Sequence, residues 1–238
     1  MKTKNKILLF TSIIPFILIL MIILSIKKSF NEDTDPSQLN LERIDTVTRS
    51  FDFHGFENIV LEGYWDIDIK HDDYFSVELI APEKLLAEIT VGQTGQTVHF
   101  FAKKNSFPVL SLIKCPRIFI TLPVMSKLNL KGIADISFSD FNNAKTSIST
   151  DGVMNVTGEN CTFDQFSLNG SGVMNVSMKE VPVTNVHLDY RGIYNGTMLM
   201  NGGSLTGYLD GIGSIEVSGE ISKNTLFVKE SGRLKVTH

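Results

Sequence analysis

The chain has 238 residues, 20% of them charged, with 22 basic and 26 acidic side chains and two cysteines. Five basic residues and no acidic ones lie in the first 28 positions, so the remainder carries seventeen basic against twenty-six acidic side chains, a net charge of −9. That balance excludes nucleic acid or anionic lipid as a partner through nonspecific charge, and two cysteines are too few for a disulfide framework to hold the fold together.

The first predicted element is a membrane span. "MKTKNK" is basic, Ile7 to Ile26 is an apolar run broken only by Thr11, Ser12, Pro15 and Ser25, and Lys27 and Lys28 close it. Twenty helical residues at ~1.5 Å each reach ~30 Å, the thickness of a hydrocarbon core. A cleaved signal peptide has a shorter apolar region and a small-x-small site, whereas this run leads into "SIKKSFNEDTDP". The expectation is therefore an anchor over 1–28 (an uncleaved signal sequence reads the same way), a polar linker over 29–48 and one domain over 49–238. Three lysines before the span against two after it favour an N-terminus in the cytoplasm and a domain outside it.

Strands dominate the rest of the chain. "IVLEGYWDIDIKHDDYFSVELIAP" alternates apolar and polar residues around Gly63, "PEKLLAE" suits one helical turn, "EITVGQTGQTVHFFAKK" reads as a hairpin-like pair, and "CPRIFITLPVMSKLNLKG" as further strands. Cys115 and Cys161 sit in apolar segments in no metal-binding spacing; a bridge and two lone buried thiols are both compatible with that.

From Gly132 onward the chain repeats. "LKGIADI", "TDGVMNV", "GSGVMNV", "YRGIYNG", "LDGIGSI" and "ESGRLKV" align on Gly132, Gly152, Gly172, Gly192, Gly211 and Gly232, at spacings of 20, 20, 20, 19 and 21 residues. Helical repeats are ~33–47 residues long, and these windows alternate instead, so each unit is predicted to be two or three short strands separated by turns. Leu128, Ile148, Leu168, Leu188 and Val228 form one apolar column, and Ile136, Val156, Val176, Ile215 and Val236 another. This is the pattern of one coil of a parallel β-solenoid, an all-β fold with coils ~4.8 Å apart and like residues stacked in ladders. Glycine suits the bend, where positive φ or close backbone approach is needed, and Gly63 precedes the same order of residues. Three positions on, Asp135, Asn155, Asn175, Asn195 and Ser214 read as a structural polar ladder bonding along the stack. Ala134, Met154, Met174 and Tyr194 form a column with two readings: core filling, which is favoured, or a binding stripe if it faces outward.

The order "ENIVLEGYWDIDI", "YFSVELIAPEKLLAEITV", "RIFITLPVMSKLNLKGIADI" and tandem "GVMNV" resembles the bacterial DUF2807 family, the putative auto-transporter adhesin head or GIN domain, over roughly residues 51–238. The resemblance implies a right-handed parallel β-helix-like fold in an envelope-associated bacterial protein, and the family offers no catalytic motif to carry over. The chain departs from its commonest units in using methionine where small residues are usual and in losing an aliphatic residue at Gly196.

No chemistry stands out. Asp66 with Asp68 and Asp135 with Asp140 could pair as carboxylates, but a chain so charged yields such pairs anyway. His54, His71, His99, His187 and His238 are scattered, no nucleophile elbow appears, and "GSGVMN" precedes a strand and lacks a helix dipole for phosphate. A mostly uncharged column at period twenty does not suit calcium, and the N-x-S/T sequons at Asn155, Asn160, Asn169, Asn175 and Asn195 follow from Asn-rich turns. No cofactor or metal is expected. The last unit, with Lys229, Glu230, Arg233 and Lys235, leaves a coil edge where a second copy could stack. The sequence thus reads as a membrane-anchored extracytoplasmic solenoid serving as a non-enzymatic binding or adhesion-like module for an envelope polymer, glycan or protein. A self-assembling scaffold and a carbohydrate-active enzyme are its rivals.

Overall fold

Side chains with a period of two form strands almost everywhere among the described residues. The computed structural model describes residues 45–103, 115–142, 144–229 and 231–237. The predicted anchor over 7–26 and all but the end of the 29–48 linker lie outside the described residues, as do Glu230 and His238. The unit Asp45–His238 starts with β1 (Thr46–Phe51), three positions ahead of the predicted boundary, because the exposed alternation of TVTRSF pairs antiparallel with β3 (Ser76–Pro82).

Between them lies β2 (Asn58–His71), and one helical turn, α1 (Glu83–Leu86), follows and buries Leu85 and Leu86. β4 (Ile89–Thr94) and β5 (Thr97–Ala102) form an antiparallel hairpin, with Gly95 at φ +56 in its turn. Then come β6 (Arg117–Leu122), β7 (Lys127–Ser139), β8 (Ala144–Glu159), β9 (Phe163–Asn201), β10 (Ser204–Glu220), β11 (Lys223–Val228) and β12 (Gly232–Thr237). The fold is nearly all-β. One open twelve-stranded sheet runs β1-β3-β6-β2-β7-β8-β9-β10-β11, with β12 on β10 and the β4–β5 hairpin attached through β2.

Antiparallel pairing is confined to β1 with β3, β3 with β6 and β4 with β5. The partners of β2, and all pairs from β7 to β12, are parallel and in register, with Gly63 opposite Gly132, Gly132 opposite Gly152, Gly152 opposite Gly172, and Gly192 opposite Gly211. The short strands and separating turns expected for each unit merge, so that β9 alone runs through 39 residues. The reason lies at the glycines. Gly172 has φ +115, which bends the strand without interrupting its ladder, and a Cβ there would lie 1.9 Å from the carbonyl oxygen of Gly152. Neither the dihedral nor the approach admits another residue.

The sixth aligned unit is shifted. Gly232 pairs with Gly213, not Gly211, and has no positive φ; a Cβ on it would lie 1.7 Å from the Tyr194 hydroxyl. It is glycine to clear a ring, not to bend the chain. Val228 accordingly pairs with Leu209 and Val236 with Val217, while Gly207 and Leu226 continue the Leu188 column.

The inward columns make one continuous core. Trp65, Ala134, Met154, Met174 and Tyr194 are all fully buried, so the Met154 column is core filling and the outward stripe considered for it is not there. At Gly196, where the aliphatic column lapses, Ile215 of the neighbouring parallel strand fills the gap, its Cδ1 lying 3.1 Å from the place of a Cβ. Phe138, Phe141, Phe163 and Phe166 pack ring against ring along the stack, with neighbouring centroids 5.2–6.4 Å apart. Each such fully buried side chain contributes about 1.5–3 kcal/mol. Among the described residues no helix is long and apolar enough to cross a membrane.

Candidate functional site

After each bend the strand alternates strictly. The second and fourth residues beyond glycine face the core, which sends the first, third and fifth outward. The third makes a column of Asp66, Asp135, Asn155 and Asn175, then Asn195, Ser214 and Arg233. The fifth makes a parallel column of Asp68, Ser137, Thr157 and Ser177, then Thr197, Glu216 and Lys235. Together they form a polar wall along the stack.

Part of the predicted ladder bonds to itself. Asn155 donates its Nδ2 hydrogen to Asp135 Oδ1 at 2.5 Å, and Asn175 donates to Asn155 Oδ1 at 2.8 Å. The next stretch does not. Asn195, Ser177, Thr197 and Ser214 have no side-chain hydrogen bond to any described residue, and all lie on a shallow hollow of about 410 Å³ bounded by Asn155, Thr157 and Glu216.

The two ends of the wall are charged and, apart from Arg233, internally paired. Arg117 from β6 holds Asp66 through Nε at 2.9 Å and Asp68 through Nη2 at 3.1 Å, and its guanidinium lies 5.0 Å from the centre of the Phe119 ring. The Ser137 hydroxyl donates to Asp68. Burial pushes the Asp66 carboxyl above its usual range; Arg117 opposes this, and Asp68 and Asp135 add to it. Beside them burial, reinforced by Asp66 and Asp135, pushes the Cys115 thiol up to about 12. At the far end Lys235 Nζ lies 2.7 Å from Glu216 Oε1.

Neither carboxylate pair picked out in the sequence is free for acid and base work. Asp66 and Asp68 share one guanidinium. Asp135 stands on the wall, whereas Asp140 lies in the turn after β7, where Asn160 donates to it at 2.6 Å and Lys70 approaches to 3.5 Å. The Asn160 hydrogen bond, with help from Lys70, holds Asp140 below the usual carboxylate range. His54 bonds Asp52, His71 packs its ring on Phe141, and His187 contacts Thr206. Among the described residues no three His, Cys, Asp or Glu side chains gather to hold a metal ion, and Cys115 and Cys161 are free thiols.

The outward apolar column lies one residue before the Met154 column, for which the sequence favoured core filling and offered an outward stripe only as the alternative. The exposed column is the first after glycine: Tyr64, Ile133, Val153 and Val173, then Ile193 and Ile212. Ile133, Ile193 and Ile212 are 44%, 49% and 67% exposed. Counting alternation backward from the buried valine of GVMNV would have located this rail, which borders the polar wall along its length.

A family profile matches the chain, and a solved structure shares its fold. The profile of the DUF2807 family, described as putative auto-transporter adhesin, head GIN domain, matches residues 55–192. A crystal structure of a putative adhesin from Bacteroides fragilis superposes with a TM-score of 0.64 at 19% identity, over 81% of this chain and 97% of that one. A putative adhesin from Parabacteroides merdae gives 0.48 at 13% identity over 80% and 95%, and a putative cell adhesion protein from Clostridium sporogenes gives 0.38 at 10% identity over 81% and 98%. No curated protein matches the chain.

Proposed function

The chain belongs to the DUF2807 family of adhesin head domains, and from that membership and its polar wall we propose that it is a non-enzymatic binding module of the bacterial envelope. In this reading the parallel in-register coils form a right-handed β-solenoid, held at the membrane by residues 7–26 with the domain outside the cytoplasm. The family description and the adhesion-related names of its structural neighbours support the binding role and an exposed location. The apolar run Ile7 to Ile26 supports the anchor.

One observation carries the proposal: side chains able to donate and accept hydrogen bonds line a surface hollow and have no partner of their own. Buried groups of this kind would be costly, but exposed ones are free to engage a ligand. The carboxylates that a glycosidase would need are instead tied to Arg117, Asn160 and Lys70.

The test uses the full chain, purified in detergent, and isolated bacterial envelopes in a sedimentation assay. Saturable binding is expected, weakened at least tenfold by Thr197→Glu. Equal binding by that variant would overturn the wall as the contact surface. Filaments in negative stain would favour an end-to-end scaffold, and release of soluble sugars from the envelopes a carbohydrate-active enzyme.

A further inference from the structure

Accepting the wall as a binding surface, we propose that it takes a neutral, hydroxyl-rich glycan chain laid along the stacking direction of the coils. Charge, hydrogen-bonding capacity and the absence of protein-type anchors all favour that class of ligand.

Charge is the first constraint. Across three consecutive coils, from Asn155 and Thr157 to Asn195 and Thr197, the wall carries no formal charge, although the chain beyond position 28 carries −9. A polyanion in the hollow would find no cation within the neutral stretch itself: Arg117 is held by Asp66 and Asp68, and Lys235 by Glu216, so the only wall cation without an ion pair among the described residues is Arg233, beyond Ser214 at the far end. Its phosphates or carboxylates would also pass these acidic groups. A neutral polymer meets neither obstacle.

Donors and acceptors match as well. An amide presents two donors and an acceptor oxygen, and a hydroxyl can act as either. Each coil thus offers an amide and a hydroxyl side by side, in a mixture suited to sugar hydroxyls, which also act as both. Coils repeat every ~4.8 Å, a step comparable with one sugar ring in an extended chain, so one ring per coil can meet the same pair of side chains. The exposed rail of Ile193 and Ile212 runs beside this column and gives the apolar faces of the rings a surface to rest on.

A protein partner fits less well. Protein contacts concentrate their energy in Trp, Tyr and Arg anchors at a desolvated centre. The wall between Asn155 and Ser214 has no such residue.

Affinity electrophoresis of the full chain in detergent tests the assignment, with native gels containing dextran, mannan or hydroxyethylcellulose as neutral polymers and polygalacturonate as a polyanion. At least one neutral polymer is expected to retard the chain, and polygalacturonate is not. Thr197→Glu should weaken retardation at least tenfold. Asn129→Asp, at an exposed position ahead of the bend, should leave it unchanged. Retardation by polygalacturonate alone, or by none of the polymers while Thr197→Glu still abolishes envelope binding, would overturn the glycan assignment and leave the wall as a site for another ligand. If Thr197→Glu altered neither retardation nor envelope binding, the wall itself would be overturned.

Discussion

The glycine column separates two outward faces built on the same backbone, at the same period, with opposite uses of their side chains. On the face before the bend, Lys131 stands against Asp151 and Asp151 against Ser171; further along, Arg191 stands against Asp210, and Lys229 Nζ reaches Asp210 at 3.0 Å. On the face after it, Asn155, Asn175 and Asn195 follow one another with Thr157, Ser177 and Thr197 alongside. Opposite charges stand opposite one another in register at Lys131 and Asp151 and again at Arg191 and Asp210, and such cross-strand pairs favour the register they occupy. With register supported on that face, the other can remain neutral and uncommitted.

The most severe perturbation removes the bend that creates the two faces. Gly172→Ala places a Cβ 1.9 Å from a backbone oxygen at a residue with φ +115, and backbone cannot yield as a side-chain tip can. A loss of more than about 4 kcal/mol is expected, enough to abolish cooperative unfolding followed by circular dichroism. Gly95→Ala also strains a positive φ, but nothing lies within 4 Å of its Cβ. That variant should remain folded, with a cost of about 1–2 kcal/mol. Equal behaviour of the two would mean that dihedral preference alone selects glycine in the column.

A milder contrast compares one charge on each face. Asp210→Lys removes the partner of Lys229 and sets a third cation beside Arg191, so a destabilisation of about 1 kcal/mol, reduced by salt, is expected. Thr197→Glu changes a side chain that touches no polar partner and sets a second carboxylate opposite Glu216, whose charge Lys235 already balances, so its midpoint of unfolding should stay within about 0.5 kcal/mol of the parent. Stability should thus respond on the first face and ligand binding on the second. A Thr197→Glu variant as unstable as Asp210→Lys would remove the distinction between them.

Much of the fold was legible in the sequence because stacking makes periodicity visible. Gly132, Gly152, Gly172, Gly192 and Gly211 mark the bend in the residues themselves, and the asparagines three positions on announce the wall. Three features were hidden. Gly232 has the right residue at nearly the right spacing, yet the register there is decided by the Tyr194 ring, whose reach across two coils no local pattern records. The rail of Ile133, Val153, Val173, Ile193 and Ile212 was missed because aliphatic residues are assigned to cores by habit. A bend without a break in alternation leaves them outside, beside the methionines that fill the interior. Arg117 was invisible for a different reason: it meets Asp66 and Asp68 from a strand 49 or more positions away in the chain.

That clamp supplies the smallest of the expected effects and concerns the end of the neutral face. Burial makes the charged form of Asp66 costly in the folded state, and its carboxyl is raised above the usual range despite Arg117. The folded protein therefore binds a proton more readily than the unfolded chain, and linkage fixes the sign: Asp66 contributes a loss of stability as pH rises from the ordinary carboxylate range through its raised value. Asp66→Asn cannot titrate and keeps an oxygen for Arg117 Nε. The variant should lack this part of the pH dependence and match or exceed the parent above the window, as measured by unfolding midpoints at closely spaced pH. The difference is small because water still reaches the Asp66 side chain. Superimposable pH profiles would show that Arg117 fully compensates for burial. A difference of the expected sign would instead mean that the charge of Asp66 is held at this end of the wall at a cost of burial that Arg117 does not fully offset.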